Sequence, residues 1–287
     1  MTVMRMKPAD TARGEDLSPL MTALRGQIAR LEQAQARLAR PESGVKPWLT
    51  GLAAIDSHLP AQGLARAGLH DVSPRSHDDQ PAAMGFALAL ALRRLACPRE
   101  HRPILWCRLA AREREHGRLH GHGLEGLGLS RRRFVTISLG KPACLLWVME
   151  EALKSGALAA VLGDAEAAHA GLTVTRRLAL AAAAGKSAAI LAFARTDADA
   201  TASHTRWTVA ARPSRSPPED AAAPGPPCWN IDLTRARGGR PGAWTVEWHH
   251  AQSRFSLVSG FSDRAVHPFT DQSGADAAAQ GPALRAG

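Results

Sequence analysis

The chain is poor in cysteine, and the four it has form no recognisable set. Cys97, Cys107, Cys144 and Cys228 are irregularly spaced, with no Cys-x-x-Cys pair. That excludes a disulfide framework and a cysteine zinc cluster, and reads as free buried thiols in a reducing compartment. Met1–Asp10 has no apolar core, so no secretory leader is expected there. Long apolar runs are missing too. The best, Leu178–Ala194, is broken by Gly185-Lys186-Ser187 and falls short of the roughly 20 apolar residues that a membrane span needs. A cytoplasmic protein without a membrane partner is the expectation. No Gly-x-Ser-x-Gly elbow occurs and no cysteine has a catalytic setting. His116, His120 and His122 are crowded, but Gly117, Gly121 and Gly123 break the helix that a shared metal would need. No catalytic residue, metal or cofactor is expected, and no internal repeat is visible.

What is present is positive charge and a core. The 287 residues are 45% hydrophobic, enough for one sizeable core with appendages, and the net charge is +10. Such a balance suits an anionic partner, chiefly nucleic acid, or merely a sequence that favours arginine; bulk charge does not separate the two.

Residues 1–16 are polar and expected to be disordered. Ser18 and Pro19 then supply an N-cap and a first helical position for a helix to about Arg40, ended by Pro41. Its seam is Leu17, Met21, Leu24, Ile28, Leu31 and Leu38, spaced by fours and threes, with Gln35 as the polar member. The seam either packs on its own domain or serves as a handle for another chain. With a linker it makes a 17–48 segment, followed by a core over 49–269 and a small, polar, disordered tail over 270–287.

Within the core, strands are expected near Leu69–Val72, Ile104–Cys107, Phe134–Ile137, Leu158–Leu162 and Ala188–Phe193. Helices are expected over Pro81–Cys97, Pro142–Lys154 and Val174–Ala184. Apolar strands alternating with helices of this length argue for a parallel sheet covered on both faces, an α/β fold. Trp207–Val209, Trp229–Leu233, Ala243–Trp248 and Arg254–Val258 then read as C-terminal strands, the last three antiparallel, with Gly238–Gly242 as a turn.

Thr50-Gly51…Asp56, Gly63-Leu64 and Gly68–Val72 resemble the start of a RecA-type nucleotide-binding core. There, the first strand leads into Gly-x-x-x-x-Gly-Lys-Ser/Thr, whose glycines let backbone N–H groups converge on phosphates and whose lysine meets them. Here the run is Ser73-Pro74-Arg75-Ser76-His77-Asp78-Asp79-Gln80-Pro81. It has no glycine and no lysine, and Asp78 and Asp79 stand where a triphosphate would sit. The loop of Ser73, Pro74, Arg75, Asp78 and Asp79 is read as degenerate, with no nucleotide bound. Gly185-Lys186-Ser187 is a decoy, because it ends a helix and starts a strand; it reads as a C-cap glycine and a solvated lysine. Asp164, after strand four, matches a metal-water acid in position but has no nucleotide to serve, and reads as a loop or helix-start aspartate.

Arginines cluster at Arg131-Arg132-Arg133 and at Arg235, Arg237 and Arg240, the latter beside Trp229 and Trp244. Arginine with aromatics is the composition of a single-strand surface, although the tryptophans read better as core. The segments after strands four and five, Asp164–Gly171 and Thr196–Thr205, would hold DNA in a RecA-type filament. They carry Asp164, Glu166, Asp197 and Asp199, which repel phosphate.

Leu24–Glu32, the Gly51–Val72 segment, Leu146–Leu153, Gly156–Asp164 and Trp229-x-Ile231-x-Leu233-x-Arg235-x-Arg237-Gly238-Gly239 together resemble the ImuA family over residues 20–260. The resemblance implies a RecA-like fold and a non-catalytic adaptor in damage-induced translesion synthesis under the SOS response, associated with the nucleoid after damage. It implies an ImuB-type partner, an inactive Y-family polymerase relative, and indirectly an error-prone polymerase III alpha-type enzyme. Weak DNA binding and self-association are further expectations. Two alternatives stand beside it: an SOS cell-division inhibitor of RecA-like fold, and a divergent DNA-stimulated ATPase.

Overall fold

A computed structural model describes residues 46–194, 200–216, 219–220 and 222–258. The segments 1–16 and 270–287 expected to be disordered, the helix with its Leu17–Leu38 seam, and Asp197 and Asp199 lie outside the described residues. A short helix α1 (Ala53–Asp56) precedes strand β1 (Leu69–Pro74), helix α2 (Gln80–Leu95) and β2 (Ile104–Leu109). Then come α3 (Ala110–His116), α4 (Gly121–Gly126), β3 (Phe134–Leu139), α5 (Pro142–Lys154), β4 (Ala160–Ala165), α6 (Leu172–Gly185) and β5 (Ala188–Phe193). Four more strands follow: β6 (Thr205–Arg212), β7 (Cys228–Ala236), β8 (Gly242–His249) and β9 (Arg254–Leu257).

All nine strands among the described residues join one sheet in the order β3-β2-β4-β5-β1-β6-β7-β8-β9. Pairing is parallel from β3 to β6 and antiparallel from β6 to β9. This is the expected α/β layout, a mostly parallel sheet continued by antiparallel C-terminal strands.

Alternation along the strands makes two cores. Val72, Ile104, Trp106, Leu162 and Ile190 face α2, whose Ala83, Phe86, Ala87 and Leu90 are buried. Trp207, Trp229, Trp248 and Phe255 extend that core under the antiparallel strands, as the core reading of the tryptophans requires. Leu69, Leu105, Val161, Leu191 and Phe193 face α5 and α6 through Leu145, Met149, Leu153 and Leu178. Trp48, placed in the linker by the sequence, is fully buried and pairs with Leu64. Among the described residues no helix is long and apolar enough to cross a membrane.

Two expectations are corrected here. Asp164 is in a strand, not a loop, because β4 runs on past Leu162: Gly163 lacks the Cβ that would collide with Met149 Sδ at 2.1 Å, so α5 packs flat over the strand. In the decoy tripeptide the left-handed residue is Lys186 (φ 51°), not the glycine. Gly185 is needed for a close approach instead, since a Cβ there would lie 1.8 Å from the Leu153 carbonyl oxygen. Ser187 Oγ donates to the Leu158 carbonyl at 2.5 Å, closing the junction. Gly185→Ala is therefore expected to cost about 1–3 kcal/mol by forcing α5 and α6 apart, readable by urea unfolding. A neutral result would show that the helices can slide freely.

Candidate functional site

The segment between β1 and α2, where a phosphate cradle would lie, is fastened to its surroundings. Ser76 donates to Asp79 Oδ2 through its backbone N (3.0 Å) and Oγ (2.6 Å). The Ala211 backbone N on β6 donates to Asp79 Oδ1 at 2.8 Å. Arg75 pairs with Asp232 on β7, and its backbone N donates to the Val209 carbonyl at 2.8 Å. Partial burial pushes the Asp79 carboxyl up, but the bonds from Ser76 and Ala211 and the nearby Arg75 outweigh it and hold it below the usual carboxylate range. At the start of α2, buried Gln80 bonds through Oε1 with His116 Nε2 at 2.9 Å. Asp78 is exposed. Ser76 and the Arg75 guanidinium, donors that a triphosphate could recruit here, are engaged by this chain's own Asp79 and Asp232, while Ser73 and Pro74 are buried in β1.

Asp164 is the most heavily bonded acid on the neighbouring strand ends. It accepts from Trp106 Nε1 at 3.0 Å, from the Leu109 backbone N at 3.3 Å and from Arg108 Nε at 3.4 Å. The Arg108 guanidinium also lies 5.5 Å from the Trp106 ring centroid and donates to the Gly117 carbonyl. The ion pair is buried on both sides, with side chains 1% and 6% exposed. Desolvation raises the Asp164 pKa, opposed by Trp106 and Arg108. It is a tie between β2 and β4. The sequence gives no local sign of this, because Trp106 and Arg108 lie more than fifty positions away.

Of the arginines offered for nucleic acid, Arg133 turns inward and donates to the carbonyls of Leu95, Glu100 and Arg102. Arg131 pairs with Glu125 at 2.6 Å, and Arg132 is exposed with no ion pair among the described residues. Arg235 donates to the Thr201 carbonyl at 3.1 Å and Arg237 to the Ala202 carbonyl at 3.2 Å, while Arg240 is exposed. Trp229 is 6% exposed and sits edge-on to Phe86, so it offers no stacking face. The two clusters lie on opposite halves of the sheet and form no single stripe.

The stretch after β5 brings in a group that the sequence did not single out. Asp71, fully buried on β1, accepts from the Thr201 hydroxyl and lies 3.7 Å from Arg206. Thr201 and Ser203 are therefore buried struts, not groups presented to DNA. Desolvation pushes the Asp71 carboxyl up against these hydrogen bonds.

The fold and this arrangement define an α/β protein with a mostly parallel sheet, whose β1–α2 corner is braced internally. No protein-family model matches the chain. Two curated relatives do, both Protein ImuA of Caulobacter vibrioides, one from strain NA1000/CB15N and one from strain ATCC 19089/CIP 103742/CB 15. Each is 32% identical over 229 residues, covering 75% of this chain and 90% of the relative. The chain belongs to the ImuA family. Among solved structures, SulA from Pseudomonas aeruginosa aligns at a TM-score of 0.34 and 20% identity, covering 44% of this chain and 97% of that one.

Proposed function

We propose that this protein is a non-catalytic adaptor in SOS mutagenesis, acting in damage-induced translesion synthesis with an ImuB-type inactive Y-family polymerase relative. Through that partner it reaches an error-prone polymerase III alpha-type enzyme. The observation that carries the reading is the β1–α2 segment. It has no glycine or lysine for phosphate, and its Arg75 and Asp79 are spent on Asp232 and Ala211. A scaffold with this corner braced keeps its surfaces for partners. Exposed Arg132 and Arg240 would add weak, salt-sensitive DNA affinity and an association with the nucleoid after damage.

Two measurements test it. Tagged protein recovered from damaged cells is expected to retrieve the polymerase relative; retrieval of a tubulin-like division GTPase alone would favour the division-inhibitor reading. Equilibrium titration with a fluorescent ATP analogue, with and without single-stranded DNA, is expected to show no micromolar binding. Binding with turnover that disappears in Arg75→Ala/Asp79→Ala would overturn the adaptor reading.

A further inference from the structure

Among the described residues the sheet has one unguarded edge. There β3 pairs only with β2, and residues 135–138 are exposed, with Val135 50% and Ile137 37% accessible. Edge strands are ordinarily blunted by a charge, a proline, a bulge or a covering helix. Phe134-Val135-Thr136-Ile137-Ser138-Leu139 has no charge and no proline, and its pairing with β2 runs in unbroken register. The opposite edge, β9, has four residues and begins with the exposed cation Arg254. Beside β3 lies a pocket of about 190 Å³, lined by Leu119, Leu124, Leu129, Arg131, Phe134 and Thr136.

We propose that this edge takes an extended segment of another protein as a tenth strand, one large apolar side chain of which fills the pocket beside Thr136, with acidic residues flanking the apolar part. Main-chain bonds to an exposed edge supply affinity and a pocket for alternate side chains supplies specificity. The charges select the flanks. Arg132 precedes the strand, Lys141 follows it and Arg118 stands before the pocket; none has an ion pair among the described residues, and all three are exposed. Glu125, the one carboxylate in contact with Arg131, is already paired.

The same charges argue against a second copy of this chain. In an antiparallel self-pair centred on Thr136, Val135 would face Ile137 of the other copy, a good apolar match, but exposed Arg132 of one copy and Lys141 of the other would come together at each end. Like charges brought together across a strand pair destabilise it. The inference holds whether or not the chain serves damage tolerance.

The test uses the full chain and two pools of fluorescent nonapeptides. Both share an alternating centre of Val, Ile, Leu or Phe with Thr or Ser; one pool is flanked by Asp and Glu, the other by Lys and Arg. The acidic pool is expected to bind at least about tenfold more tightly, with hydrogen-exchange protection confined to residues 134–139. Arg132→Glu/Lys141→Glu, at two exposed positions, is expected to reverse the preference. Equal binding of both pools, binding of neither, or protection elsewhere would overturn the proposal. So would concentration-dependent dimerisation that protects residues 134–139, which would give the edge to a second copy.

Discussion

Asp164→Ala is expected to lower the unfolding free energy by about 3–5 kcal/mol, the cost of leaving a buried charge without its partner. Arg108 is the group stranded: its side chain is 1% exposed, so water cannot replace the lost carboxylate without opening the β2–β4 seam. Trp106 Nε1 and the Leu109 N–H lose an acceptor in the same step. Asp164→Asn keeps an oxygen for one of those donors and removes the charge, so it should cost less than the alanine. Arg108→Met/Asp164→Leu removes both charges and should recover part of the loss, since a buried pair can often be replaced by apolar groups of similar volume. Urea unfolding at pH 7 measures all three. A loss below about 1 kcal/mol for Asp164→Ala would mean that the acid is not the tie described, and would reopen a chemical role for it.

The second large effect is acid sensitivity from two histidines, His70 fully buried and His204 half-buried. His70 Nε2 bonds to the Ala65 carbonyl at 2.9 Å, which can only accept, so the proton sits there and Nδ1 accepts from the Thr205 hydroxyl at 2.8 Å. Trp207 Nε1 donates to the same hydroxyl at 3.0 Å. A second proton on His70 would break this chain. Burial, with the His204 charge beside it, pushes its pKa from 6.5 down to about 3, against the pull of the Ala65 bond. His204, 6.3 Å away between ring centroids, falls to about 4 through burial and the Arg237 charge.

The sign follows from proton counting. Both folded values lie below the unfolded one, so between pH 6.5 and about 4 the unfolded chain holds more protons and stability falls as pH falls. The contribution is complete above pH 6.5. At pH 5 it is reduced by about 2 kcal/mol for each fully buried imidazole, and about 3 kcal/mol for the pair once the partial exposure of His204 is discounted. Asp71 and Asp164, whose folded values are raised, work the opposite way by taking up protons in the folded state first. Glu100, held at about 2 by Arg102 and Arg94 against its own burial, begins to matter only as pH drops below its ordinary 4.5. Comparing the wild type with His70→Gln/His204→Gln at pH 7 and pH 5 removes the carboxylates from the difference. The variant should lose about 3 kcal/mol less over that interval. An equal loss in both proteins would mean that the imidazoles titrate normally.

The elements were legible because their signals are local. The Pro142–Lys154 helix and the Ala188–Phe193 strand match the periodic reading end to end, since proline at a first helical turn and an unbroken apolar run leave little choice. Asp164 was misplaced because the strand beyond Leu162 depends on α5 lying across Gly163, and nothing nearby in the chain states that. The arginine clusters were legible as charge but not as availability: Arg133 and Arg237 look like Arg132 and Arg240 in sequence, yet only folding supplies the carbonyls that claim them. The Leu17–Leu38 seam lies outside the described residues.

By itself the sequence determined the alternation of strand and helix, the lack of glycine and lysine between β1 and α2, and the kinship with ImuA. Hydrophobic period, turn chemistry and residue identity are properties of short stretches. Only the tertiary structure decided which carboxylates are struts, that Arg75 and Asp79 brace the corner, and that β3 has a bare edge among the described residues. Those depend on partners dozens or more than a hundred positions apart, and on one strand having a neighbour on a single side.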